Sequence, residues 1–167
     1  MSKLARILLI VAGLTLTNGP AVAEGFKAGM WAGERFYAKS GKFSRCLVRK
    51  IYQDGTSLGF AINNFGKVEI WLWNNKWTLE KGKKYNIQFG VDYLRRRYIK
   101  AKARTKTMLS FIVSETRTVF KELKRGQNLY FGNANKTVLK YSLKGSSLAL
   151  DKAMICYASA PDRKSVV

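Results

Sequence analysis

The sequence contains no histidine. That removes the Ser–His–Asp and Cys–His nucleophile arrangements and every histidine metal ligand. Its two cysteines, Cys46 and Cys156, stand far too widely apart for a C-x-x-C redox motif. Asp and Glu together number only 10, against 31 Lys and Arg. A glycosidase needs a pair of carboxylates flanking its substrate, and no spacing here marks such a pair. Both common glycine-rich phosphate loops are missing. After residue 23 no apolar run reaches the roughly 20 residues that cross a bilayer as a helix. No metal and no cofactor is therefore expected.

What is present begins with a secretion signature. Lys3 and Arg6 supply a positive start, and residues 8–16 (LLIVAGLTL) form a short apolar stretch. Asn18, Gly19 and Pro20 break it, and Ala21-Val22-Ala23 offers the small residues a signal peptidase requires. Residues 1–23 read as a cleavable signal peptide of bacterial layout, with Glu24 as the new N-terminus. No cysteine follows the small residues, which argues against a lipoprotein anchor. The mature chain keeps 29 basic and 10 acidic residues, a net charge of +19. Its length fits one domain over residues 24–160, with a frayed tail at 161–167. In an oxidising compartment Cys46 and Cys156 are expected to close as a disulfide; two free thiols is the alternative, commoner in the cytosol.

Short alternating runs dominate the rest. Residues 43–52, 57–63, 67–73, 85–91, 98–113 (one strand or two), 129–131 and 137–143 read as strands. Asp54-Gly55, Asn63-Asn64-Phe65-Gly66, Asn74-Asn75 and Gly132-Asn133 punctuate them. On residues 67–73, Val68, Ile70 and Leu72 share one face, and Glu69, Trp71 and Trp73 the other. Ser114 is placed to cap a helix over 115–123 that closes at Lys124, Arg125 and Gly126. Ser146 or Ser147 is placed to cap a last helix to about Tyr157. The glycine-rich stretch after Glu24 reads as extended surface chain. The fold class expected is mainly β: an antiparallel sandwich or barrel of seven to eight strands with two short helices and one disulfide.

Charge is the strongest functional signal. Residues 95–106 hold Arg95, Arg96, Arg97, Lys100, Lys102, Arg104 and Lys106. On a strand, Lys100, Lys102, Arg104 and Lys106 share one side, with Ala101, Ala103 and Thr105 opposite. Two readings follow: a patch neutralised by a polyanion, or a solvated edge strand that uses lysine against aggregation. Lys39, Lys42, Arg45, Arg49, Lys50, Lys81, Lys83, Lys84, Lys136, Lys140 and Lys144 add to the basic surface. Such a surface attracts anionic lipid, lipopolysaccharide or acidic polysaccharide, with nucleic acid held only non-specifically.

Three segments carry a family resemblance: Phe43-Ser44-Arg45-Cys46; residues 123–129 (LKRGQNL); and residues 141–150 (YSLKGSSLAL), followed by Cys156. The sequence resembles the invasion-associated locus B family, small exported proteins of alphaproteobacteria. It differs from that pattern in having only two cysteines and in its extreme basicity. The resemblance implies an envelope or secreted factor in host-cell association. The expectation is thus a non-enzymatic exported protein, periplasmic or secreted, that binds anionic envelope or host-surface partners. Two alternatives stand beside it. One is a small hydrolase or toxin acting on nucleic acid or cell wall, built around Glu69, Asp92 or Glu115. The other is an assembly subunit that docks on a protein through Trp71 and Trp73. Mass analysis of protein exported by its native host should find a chain beginning at Glu24 with Cys46 and Cys156 bridged; two freely alkylated thiols would overturn the second expectation.

Overall fold

The computed structural model describes residues 24–92, 96–132 and 138–161. The signal peptide expected at 1–23, Arg95 of the basic run and all but the first residue of the 161–167 tail lie outside the described residues.

Ten strands form one antiparallel sheet: β1 (Glu24–Ala28), β2 (Trp31–Tyr37), β3 (Phe43–Ile51), β4 (Ser57–Asn63), β5 (Val68–Trp73), β6 (Lys84–Val91), β7 (Arg97–Thr105), β8 (Met108–Ile112), β9 (Asn128–Gly132) and β10 (Val138–Ser142). Two helices are added, α1 (Thr116–Arg125) and α2 (Ser146–Ala158). The spatial order is β1-β2-β3-β4-β5-β8-β7-β6-β9-β10. The expected sandwich or barrel of seven to eight strands is thus corrected to an open sheet of ten. The additional strands are β1 and β2, where glycines suggested loop. Gly33 is needed there for space: a Cβ would lie 2.2 Å from the ring of Phe26 on the paired strand. An aromatic ring laid over a strand glycine restores the packing that the glycine lacks.

Within the described residues the turns fall where the sequence marked them; the turn expected at Gly132-Asn133 runs outside the described residues. Asp54-Gly55 joins β3 to β4, and residues 64–67 join β4 to β5. The 98–113 run divides into β7 and β8 at Lys106-Thr107. Chain order and sheet order part company after β5, where residues 74–83 carry the chain past β8 and β7 to β6 in a Greek-key step. That connection is pinned to the β7–β8 hairpin, since Asn74 N–H donates to Thr107 O and Leu79 N–H to Lys106 O.

One face of the sheet holds the core. Trp31, Cys46, Val48, Phe60, Ile62, Val68, Ile70, Phe89, Ala101, Ala103, Phe111 and Phe131 are buried in it. Helix α2 lies across β1 to β4 and is tied to β3 by the Cys46–Cys156 disulfide, with Cα atoms 6.1 Å apart. The bridge closes a separation of 110 residues, a loop for which chain entropy gives about 4–5 kcal/mol of stabilisation. Helix α1 buries Val119 and Leu123 and packs on α2.

Both helix starts differ from expectation. Glu115, not Ser114, stands at the N-cap of α1 without a side-chain cap, and Thr116 Oγ1 donates back to Val113 O. Gly145 takes the N-cap of α2 at φ 83°. Ser146 lies inside the helix, where its buried hydroxyl donates to Leu123 O at 2.6 Å and ties α2 to α1. Gly145 is required on two counts, since a Cβ would also meet Met30 Cγ at 2.9 Å.

The sheet rolls until its far ends meet. β10 is seven strand spacings from β3, about 34 Å in a flat sheet. Yet Tyr52, just after β3, donates its hydroxyl to Ser142 O at 2.6 Å, and its ring lies 4.8 Å from that of Tyr141. Trp31 Nε1 donates to Lys144 O at 3.2 Å. Tyr141 donates to Asp54, which also accepts from the backbone N–H and hydroxyl of Thr56. Burial raises the Asp54 carboxyl, but these hydrogen bonds prevail and hold it below its ordinary range.

Burial also raises both phenols, Tyr52 with help from Tyr141, and Tyr141 to about 12 with Asp54 adding to the effect. Tyrosine in the unfolded chain ionises near pH 10. The contribution of these phenols is therefore complete below about pH 10 and is lost as pH rises through the folded values. Denaturant midpoints measured against pH should fall more steeply above about pH 10 in the wild type than in a Tyr52→Phe/Tyr141→Phe variant; equal slopes would exclude the clamp as their origin.

Candidate anion-binding face

The outer face of the sheet is where charge collects, because the inner face is filled. On β7, Ala101 and Ala103 point into the core while Lys100, Lys102 and Arg104 are exposed. The alternation expected from the sequence holds through residue 104. A register shift between Ala103 and Thr105 then ends it, so Thr105 is exposed as well and Lys106 sits in the turn. β6 adds to the same face: Lys84 stands opposite Lys102, and Asn86 opposite Lys100. Tyr98, 81% exposed, stands on this side one step before Lys100. Arg96 is exposed at the entrance to β7.

Two members of the basic run do structural work. Arg97 faces the other way and is largely buried, bonding Glu122 through both terminal nitrogens at 2.8 Å and Glu115 at 3.2 Å. The Glu122 hydrogen bonds hold its guanidinium above its ordinary value against desolvation, with Glu115 adding. Arg104 Nη2 donates to Glu69 at 3.0 Å and its Nε to Ser110 Oγ at 2.8 Å.

Glu69 is the centre of a second packed cluster on the outer face. It is 3% exposed and accepts from Arg104 and Ser110 on one oxygen and from Arg45 on the other at 3.1 Å. Arg45 also lies 4.7 Å over the Trp71 ring, and Trp71 and Trp73 lie 5.1 Å apart. Burial pushes the Arg45 guanidinium below its ordinary value; Glu69 opposes this and Arg104 reinforces it. Both tryptophans are half-buried, and a Cβ on Gly59 would meet the Trp73 ring at 3.1 Å. Trp71 stands opposite Gly59, and the Trp73 ring and Leu47 close the space over that glycine.

Every carboxylate among the described residues has an internal partner of this kind. Glu24 pairs with Arg35, Glu34 with Arg49, Glu80 with Lys83 and Asp151 with Lys124. Asp92 accepts from the backbone N–H groups of Gln127 and Asn128. The three carboxylates singled out for hydrolytic chemistry, Glu69, Asp92 and Glu115, lie in three separate arrangements. Sequence reasoning did not single out the stripe Arg117, Lys121 and Arg125, exposed along α1 without an ion-pair partner among the described residues. Its i, i+4, i+8 spacing was the available signal.

No protein-family model matches the sequence, and no curated protein matches it. The fold is similar to that of invasion associated protein B from Bartonella henselae. The likeness spans 82% of this chain and 99% of that one, with a TM-score of 0.57 and 16% sequence identity. It is a likeness of fold, in line with the resemblance carried by the final strand-to-helix junction. There, Gly145, Ser146 and Cys156 each hold α2 in place.

Removing one charge from the Glu69 cluster leaves the arginines around it uncompensated. Glu69→Gln should lower stability by about 2–4 kcal/mol in denaturant unfolding, while Lys100→Gln should change it by less than about 0.5 kcal/mol. A neutral Glu69→Gln substitution would show that the cluster is not what holds this face.

Proposed function

We propose that this is an exported, non-enzymatic protein, periplasmic or secreted, whose β6–β7 outer face binds anionic groups of the envelope or of a host surface. The observation that carries the reading is the juxtaposition of Lys84 on β6 and Lys102 directly opposite it on β7, with Lys100 on the same side of β7. Like charges directly opposite each other on neighbouring strands destabilise a sheet. The protective role of lysine on an edge strand does not account for Lys102, which pairs with Lys84 of β6 on one side and Ser110 of β8 on the other. Lys84, Lys100, Lys102, Lys106 and Arg96 have no ion-pair partner among the described residues, so their charge is available to phosphate, sulfate or carboxylate groups outside the protein. Tyr98 adds an exposed ring beside them. Arg97 lies beneath this face and Arg104 on it, and each is paired with a carboxylate of the scaffold.

The disulfide and the likeness to an invasion associated protein fit an exported protein. The basic excess follows from the same arrangement: carboxylates serve the fold internally, and the remaining cations point outward. Lipopolysaccharide, anionic lipid and acidic polysaccharide share the chemistry that would engage them.

Binding to a heparin-like polymer, with lipopolysaccharide as a second arm, should weaken linearly in log–log plots as salt rises. A Lys84→Gln/Lys100→Gln/Lys102→Gln variant should lose at least about tenfold in affinity with its unfolding midpoint unchanged. Binding indifferent to salt, or equal in the variant, would refute the face.

A further inference from the structure

We propose that the β1–β2 turn and the outward side of α2 form a membrane-docking tip, which places apolar side chains in the interface of an anionic phospholipid bilayer. Met30, Leu148 and Ile155 are large apolar residues exposed by 54%, 49% and 60%. They belong to one patch. A Cβ on Gly29 would lie 3.2 Å from Leu148 Cδ2, and one on Gly145 would lie 2.9 Å from Met30 Cγ, so the turn rests on the start of α2. Leu148, Lys152 and Ile155 follow one another at i, i+4 and i+7, a single stripe of the helix. Phe26 and Lys27 of β1 line a groove of about 280 Å³ together with Lys152 and Ile155.

Lysines ring this patch. Lys50 Nζ approaches Met30 Sδ at 3.8 Å, and Lys27, Lys144 and Lys152 are exposed around it. Glu24 also lines the groove, where Arg35 pairs with it at 3.3 Å, and Asp151 is paired with Lys124. An apolar centre inside a cationic rim asks for two things together: an apolar phase a few ångströms deep and negative charge above it. An anionic bilayer interface supplies both, and lysine stems reach from the one zone to the other. A second copy of this chain supplies the opposite, since it would bring the same lysines to the contact. The tip shares no residue with the β6–β7 face and stands if that face binds nothing.

The test is co-sedimentation of the mature protein with vesicles of phosphatidylglycerol and phosphatidylcholine, and with phosphatidylcholine alone. Wild type should partition onto the anionic vesicles and keep part of that binding at about 1 M salt, where the Debye length is about 3 Å. Leu148→Ser/Ile155→Ser, both at exposed positions, should lower vesicle affinity at least about tenfold and remove the salt-resistant part, while heparin-like polymer is bound as before. Lys27→Gln/Lys152→Gln should lose the preference for anionic vesicles. The β6–β7 triple variant should show the reverse pattern, losing polymer and keeping salt-resistant vesicle binding, so the two sites are told apart. The tip is overturned if the Leu148/Ile155 variant partitions like wild type or if wild-type binding vanishes at high salt. It is also overturned if the wild type is a dimer that the same variant dissociates.

Discussion

Among the described residues a sheet of ten strands has two short helices to cover it, and it must cover the rest of one face with itself. That constraint governs this molecule. Helix α2 shields β1 to β4, and α1 packs on α2 with Val119 and Leu123 in the core. What remains is covered by curvature, which brings Phe89, Phe111, Phe131 and Tyr141 into a chain of ring contacts and sets Tyr52 against Tyr141. The roll is closed by side chains: Tyr52 and Trp31 reach the backbone carbonyls of Ser142 and Lys144, where a barrel would use a strand ladder. β1 and β10 thus stay as edges, and the apolar side chains of the inner face are buried all the same.

Curvature also explains the outer face. Once apolar residues are drawn inward, the outer surface must carry the charge, and the two halves solve this differently. Around β3 to β5 the outer side chains pack on one another, with Glu69 compensating Arg45 and Arg104, and Trp71 and Trp73 roofing Gly59. On β6 and β7, Lys84, Lys100 and Lys102 are exposed without an ion-pair partner among the described residues. One sheet therefore has an outer surface that is self-satisfied on one side and charged on the other. The scarcity of carboxylates makes this division sharp, since each described one already serves the fold.

The strands from β3 onward were legible because alternation and turn residues coincide: Val68, Ile70 and Leu72 do face the core, and Asp54-Gly55 does turn the chain. β1 and β2 were not, because Gly33 is a space requirement set by Phe26, and local pattern carries no word of a partner strand's ring. The helix caps misled for a related reason: Ser146 has the right chemistry for a cap, but a carbonyl on α1 claims its hydroxyl. The lysine alternation of β7 was readable, whereas the fates of Arg97 and Arg104 were not. Their carboxylate partners lie 25 and 35 residues away and meet them only in the folded sheet. The number of strands set the architecture, and single-strand patterns do not count how far a sheet must bend.

Helix α2 follows all ten strands in the chain, yet it covers the first four of them. In the order in which the chain is made, β1 to β4 emerge with their apolar side bare and wait more than eighty residues for their lid. Until Cys156 arrives beside Cys46, the apolar side of these strands lacks both the helix that covers it and the bridge that holds that helix, and exposed surface of this kind is where misassembly begins.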